Sequence, residues 1–238
     1  MVQYFAMRSL TVLNQTITDC TACPRLVTYR EMVARTKRRQ YMSWTYWGKP
    51  IAGFGDPKAE LYVLGLAPAA HGGNRTGRVF TGDRSGDWLY EALHHFGFAN
   101  QASSTHRGDG LSLTSCYIGA TVRCAPPGNK PSSDEFEQCN RFLREELRLL
   151  TQIRVVITLG KIAFDHYLKT CKADGHTIPS PVPRFGHGVT YRLPWGVLLL
   201  GSYHPSQQNT FTGKLTRPMF HSVFAQARRA LDHPHSTV

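Results

Sequence analysis

No stretch of this chain approaches the roughly 18 uninterrupted apolar residues that a membrane helix needs, so a spanning segment is not expected. The first residues, MVQYFAMRSL, carry neither a charged leader nor a long apolar core ending in a small-residue cleavage site. Secretion is therefore not expected, and a reducing cytoplasmic setting is. There is no internal repeat, and no second close-spaced cysteine pair beyond the first. Acidic side chains are scarce: 16 Asp and Glu stand against 28 Lys and Arg, a formal charge of +12. That balance favours a polyanionic partner, with nucleic acid foremost.

What is present reads as globular. Hydrophobic residues make up 41% of 238, a length that suits one well-buried domain over residues 1–238 and is short for two. Only the end, His233 to Val238, is expected to fray. Four apolar runs read as buried parallel strands: Leu61 to Leu64, Tyr117 to Val122, Val155 to Leu159 and Val197 to Gly201. Between and after them, Trp88 to Phe96, Phe136 to Leu149, Ile162 to Leu168 and Met219 to Leu231 carry apolar residues at helical spacing. Alternating strands and helices predict an α/β fold, a parallel sheet with helices on both faces.

The unusual residues fall where the strands end. Gly65 to Asp83 follows the first run, Arg123 to Pro131 the second and Tyr203 to Thr212 the fourth. In open parallel sheets ligands bind outside the carboxyl ends of the strands, so three distinctive loops there imply one site. Six cysteines are present, and Cys20 and Cys23 have the two-residue spacing that turns both sulfurs to one centre. Cys124 and Cys139 are candidates to complete a four-thiolate set, for which spacing alone leaves zinc and iron-sulfur equally open. Cys116 and Cys171 read as ordinary cysteines.

Several separated motifs then agree in order: Cys20 and Cys23 with Pro24-Arg25-Leu26; Gly65-Leu66-Ala67-Pro68 running to Gly77-Arg78-Val79-Phe80-Thr81-Gly82-Asp83; Val122-Arg123-Cys124-Ala125-Pro126-Pro127; and Tyr203-His204-Pro205-Ser206 with Asn209. Together they resemble the family 5 uracil-DNA glycosylases, from Cys20 to about Ala230. The resemblance implies a three-layer α/β/α sandwich about a central parallel four-stranded sheet, and a [4Fe-4S] cluster on Cys20, Cys23, Cys124 and Cys139. It also implies excision of uracil, and through it base excision repair of DNA, by a protein acting as a monomer.

The candidate roles follow from the chemistry of taking a base out of DNA. An extruded base needs a new stacking face, and Phe80 is the candidate, although its local sequence suits plain packing equally well. Cleavage of the N-glycosidic bond puts positive charge on the sugar and negative charge on the leaving base. Asp83 is the carboxylate for the first, though it also reads as a helix cap, and His204 the donor for the second. Asn129 resembles a third active-site position, its bland alternative being a turn asparagine. Gly65, Ala67, Ala120 and Ser206 complete the expected substrate contacts. Leu66 and Ala120 stand where related glycosylases carry polar groups, which predicts tolerance of hypoxanthine and xanthine beside uracil. No lysine occupies a nucleophile motif, so the strand is expected to stay intact. Arg75, Arg78, Gln207, Asn209 and the run Arg35, Lys37, Arg38, Arg39 are candidate DNA contacts, with Asn209 to Phe211 a candidate wedge. The competing class is a noncatalytic iron-sulfur or zinc protein that binds nucleic acid.

Overall fold

The computed structural model describes Ser9 to His233; of the tail expected to fray, all but His233 lies outside the described residues. Chain order begins with two helices, α1 (Leu10–Thr18) and α2 (Pro24–Thr36), then strands β1 (Phe54–Gly55) and β2 (Leu61–Gly65). There follow α3 (Gly73–Thr76), α4 (Arg84–His95), β3 (Cys116–Ala120), α5 (Ser133–Leu149), β4 (Val155–Leu159) and α6 (Lys161–Ala173). The chain closes with β5 (Thr190–Arg192), β6 (Leu198–Ser202), α7 (Gln207–Phe211) and α8 (Arg217–Asp232).

The sheet runs β1-β3-β2-β4-β6-β5. Its inner four strands are parallel, in register from Leu61 opposite both Cys116 and Val155. These are the four expected strands, each fully buried because helices cover both faces. The sheet has six strands rather than four: β1 and β5 add antiparallel edges of two and three residues, too short and too exposed to leave an apolar run.

Alternation along the strands divides the core. Leu61, Val63, Ile118, Ile157 and Leu200 face α4 and α8 through Leu89, Leu93, Phe220 and Phe224. Tyr62, Leu64, Tyr117, Val156 and Leu199 face α5 and α6 through Leu143, Phe164 and Tyr167. A third cluster joins α1 and α2 to α5 through Leu13, Ile17, Leu26 and Phe142. The second layer also holds a buried ion pair, Arg123 bidentate on Glu146, which accepts in addition from the Tyr62 hydroxyl. Gly119 leaves the space: a Cβ there would lie 2.0 Å from the Tyr62 oxygen and 2.4 Å from Glu146 Oε2.

From β2 the chain steps to β3 on one side and then crosses to β4 on the other. The loops leaving β2 and β4 therefore part, opening a crevice at the carboxyl ends of the strands. Among the described residues no helix is long and apolar enough to cross a membrane.

Candidate active site

A cleft of about 780 Å³ opens at those strand ends. The loop after β2 brings Leu66, Ala67, Phe80 and Asp83 to it, the end of β3 brings Ala120, the following turn Asn129, and the loop after β6 His204, Ser206 and Gln207. The three side chains on which the sequence reading turned, Phe80, Asp83 and His204, thus share one cavity. Val122 N–H donates to Leu66 O at 2.9 Å and Thr121 Oγ1 to the same oxygen at 2.7 Å, so the first loop is laced to the strand beside it.

Phe80 sits at φ +50°, a left-handed conformation rare for an aromatic residue and therefore strained. Gly65, at the end of β2, makes room for the ring: a Cβ there would meet Phe80 Cζ at 2.6 Å. Gly65 shapes the platform from behind. The Phe80 ring lies 5.9 Å from that of His204, inclined by 32°. Burial lowers the His204 pKa to about 4, so the imidazole is neutral at physiological pH and offers one N–H donor. Its backbone is fixed as well, because His204 O accepts from Asn209 Nδ2 and from Ser206 N–H, both at 2.8 Å.

Asp83 carries both of its sequence readings. It is the N-cap of α4, where Oδ1 accepts from Gly86 N–H at 3.0 Å, and it also lines the cleft. Burial raises its pKa, opposed by the N–H groups of Gly86 and Ser85. The other carboxylate oxygen lodges against Gly72, where a Cβ would come within 2.0 Å of Oδ2. Only glycine permits that approach. Gly72 was not foreseen; the one trace in the sequence is the pair Gly72-Gly73 upstream of the Phe80 loop. Asn129, left-handed at φ +57° and exposed, ends a short turn that also lines the cleft.

Two expected DNA contacts are corrected. Arg75 is 4% exposed, sandwiched between the rings of Tyr41 at 3.9 Å and Trp44 at 4.1 Å. Its Nη2 donates to Gly82 O at 2.7 Å and its Nε to His71 O at 2.8 Å, so it ties together the two backbone segments that flank Asp83. Arg78, also 4% exposed, is bidentate on Asp109 and donates to Ser104 Oγ at 2.7 Å. Neither guanidinium is free for a phosphate. Asn209 is likewise turned inward to the His204 carbonyl, whereas Phe211 next to it is exposed under the guanidinium of Arg84. Of the basic run, exposed Arg38 reaches the cleft, together with Gln40 and Tyr41.

Cys124 and Cys139 belong to the third core cluster, with Cys20 and Cys23 packed against it. Burial raises Cys124 to about 11 and Cys139 to about 12. Two arginines attend these sulfurs: Arg30 Nη1 donates to Cys124 Sγ at 2.9 Å and Arg141 Nη2 to Cys20 Sγ at 3.5 Å. Arg141 Nε is buried and has no partner among the described residues. Among those residues no three His, Cys, Asp or Glu side chains are grouped tightly enough for a single ion. Cys116 and Cys171 are buried in other parts of the core.

A second cavity of about 780 Å³ lies around Tyr167, Trp195 and Leu150, toward the amino ends of β4 and β6. Its two acids sit in the pairs Arg144–Asp174 and Arg148–Glu145, and its imidazole, His176, is packed against the Trp195 ring, so it does not bring together the acid and imidazole of the first.

An α/β sandwich that gathers an aromatic face, a desolvated carboxylate and a neutral imidazole at one sheet crevice has the layout of a glycosylase acting on an extruded base. Residues 52–228 match the family model described as uracil DNA glycosylase superfamily, and the chain belongs to that superfamily. It is 50% identical over 222 residues to the type-5 uracil-DNA glycosylase of Mycobacterium tuberculosis, covering 93% of this chain and 81% of the relative. It is 48% identical over 215 residues to the type-5 enzyme of Thermus thermophilus, covering 90% and 95%. A type-4 uracil-DNA glycosylase of Pyrobaculum aerophilum is more distant, at 30% over 152 residues, covering 63% and 60%.

Proposed function

We propose that this protein is a uracil-DNA glycosylase that also removes hypoxanthine and xanthine, hydrolysing the N-glycosidic bond and leaving an abasic site in an unbroken strand. The observation that carries the reading is the meeting of Phe80, Asp83 and His204 in one cleft. Phe80 stacks on the extruded base in place of its lost neighbours. As the bond between C1′ and the base lengthens, the Asp83 carboxylate stabilises the sugar cation, and water adds to C1′ from its side, giving its proton to that carboxylate and thence to solvent, from which the departed base anion is protonated. The bonding pair leaves with the base, and the His204 N–H donates a hydrogen bond to the base oxygen where that charge gathers. A neutral imidazole suits this role, since it donates a hydrogen bond through its N–H and keeps that proton near pH 7. Asn129, on the turn after β3, contacts the base or the water.

Breadth of substrate rests on Leu66 and Ala120, which line the cleft with apolar groups where an amide would read the edge of a pyrimidine. A larger purine therefore meets no buried polar group left unpaired by it.

The same reading extends to a [4Fe-4S] cluster on Cys20, Cys23, Cys124 and Cys139. Support comes from the donor set, all thiols packed about one core cluster, and from the unpaired Arg141 Nε beside Cys20. Such a cluster would supply a cross-link: two of its ligands flank the α1–α2 corner and two follow β3, so it fastens the N-terminal helices to the sheet.

Oligonucleotides with a single uracil, hypoxanthine or xanthine, treated with the protein and then with hot alkali, test the assignment. Scission after alkali and not before it is the expected result, with Asp83→Ala and His204→Ala strongly impaired. Intact strands with every base would instead favour a nucleic-acid binder. Efficient removal of uracil with no turnover of hypoxanthine would end the claim of breadth alone.

A further inference from the structure

Arg30 lies on α2, 4% exposed, and plays no part in the chemistry described so far. Its guanidinium reaches two ways. Nη1 donates to Cys124 Sγ at 2.9 Å and to Cys20 O at 3.4 Å, while Nε donates to Gly48 O at 3.2 Å. Its own carbonyl accepts from Asn74 Nδ2 at 3.1 Å. Gly48 N–H in turn donates to Asn74 O at 3.1 Å, and Trp47 N–H to Arg75 O at 3.0 Å. Asn74 and Arg75 belong to α3, the single turn whose cap Gly72 lodges Asp83 and whose Arg75 holds Gly82. One buried residue therefore connects a cysteine sulfur to the turn that shapes the seat of the acid, its side chain reaching Gly48, which bonds to Asn74 O, and its own carbonyl holding Asn74 Nδ2.

The charge argues that this link matters. A buried guanidinium needs a compensating anion, and Arg30 makes no ion pair with a carboxylate among the described residues; its partners are a sulfur and two carbonyls. A thiolate of Cys124, held as such by iron, supplies that anion at 2.9 Å. The hydrogen bond is then at its strongest only when the four-cysteine site is loaded.

We propose that Arg30 is a positioning residue for Asp83, holding α3 in place through Gly48 and Asn74 while anchored on Cys124 as a cluster ligand. The proposal rests on the iron-sulfur reading above. A shift of about 1 Å in a reacting group lowers a rate by roughly a hundredfold, so loss of the anchor should act on the chemical step rather than on DNA affinity.

The test compares purified wild type, Arg30→Gln, Arg30→Lys and Asn74→Ala for iron content, visible circular dichroism, DNA affinity and single-turnover excision of uracil. Arg30→Gln is expected to keep its iron and its affinity within about twofold, and to lose roughly ten- to a hundredfold in single-turnover rate. Arg30→Lys, which retains the charge at Cys124, should recover part of that rate. Asn74→Ala leaves the Gly48 N–H to Asn74 O bond in place and removes the second tie of α3 to Arg30, from Asn74 Nδ2 to the Arg30 carbonyl, so it should lose rate in the same direction without altering the visible dichroism, and it keeps the test decisive if Arg30→Gln fails to fold. Chelating the iron from wild type should reproduce the same loss, and chelating it from Arg30→Gln should add little. Iron-replete Arg30→Gln and Asn74→Ala at the wild-type rate, or chelated wild type at full rate, would overturn the proposal. Wild type purified without iron would overturn the cluster reading itself, an outcome read from the iron assay and not from the rate.

Discussion

Asp83→Asn separates the two duties that one carboxylate performs. As the cap of α4 the residue needs only an oxygen to accept from Gly86 N–H, which asparagine retains. As the counter-charge to a sugar cation it needs the anion, which asparagine lacks. Burial raises the pKa of Asp83, so its proton is held more tightly in the folded state than in the unfolded one. For such a group stability falls as pH rises from the unfolded pKa through the folded one, and the ionised side chain carries that penalty. Asp83→Asn should therefore melt at or above the wild-type temperature at pH 7, while single-turnover excision drops about 10²- to 10⁴-fold, or ~3–5 kcal/mol. Asp83→Ala should lose similar activity and also the cap, about 1 kcal/mol, which at this chain length lowers Tm by roughly 2–4 °C before relief of the buried charge offsets part of it. The wild-type pH–rate profile should show an acid limb above the ordinary carboxylate range that is absent from the residual activity of Asp83→Asn. The assay is alkaline scission of a uracil duplex under single turnover, run beside thermal unfolding. Asp83→Asn within about threefold of the wild-type rate would refute the catalytic role and leave Asp83 a cap.

Other outcomes are open to similar measurement. Gly72→Ala sets a Cβ 2.0 Å from Asp83 Oδ2, so excision should fall at least about tenfold while affinity for an abasic duplex holds. Because Arg75 is enclosed by Tyr41, Trp44 and two carbonyls, Arg75→Met should lower Tm and leave the salt dependence of DNA binding unchanged; Arg38→Ala should instead reduce the slope of log affinity against log salt by about 1. Glu146→Gln strips the counter-charge from fully buried Arg123 and should destabilise the fold by roughly 3–5 kcal/mol in denaturant titrations.

The architecture was legible because buried parallel strands must be apolar from end to end. Leu61, Val155 and their neighbours announce themselves, while β1 and β5, at the half-exposed edges, leave no such trace. The gathering of Phe80, Asp83 and His204 was legible from the position of their loops after the strands, since topology alone brings those loops together. Arg75 and Arg78 misled because a charged side chain is ordinarily read as solvent-facing. Their enclosure depends on partners that linear inspection does not connect, Tyr41 and Trp44 for one and Asp109 for the other. The seat that Gly72 provides for Asp83 is a matter of ångströms between segments, and sequence spacing does not carry it.

The left-handed backbone at Phe80 has a consequence for how damaged bases compete. A platform bent into shape during folding does not have to be assembled when a nucleotide arrives, so all bases meet the same finished surface. Selection then shifts to the duplex: a uracil opposite guanine, loosely paired, leaves its stack more readily than one opposite adenine, and should be removed sooner for that reason alone.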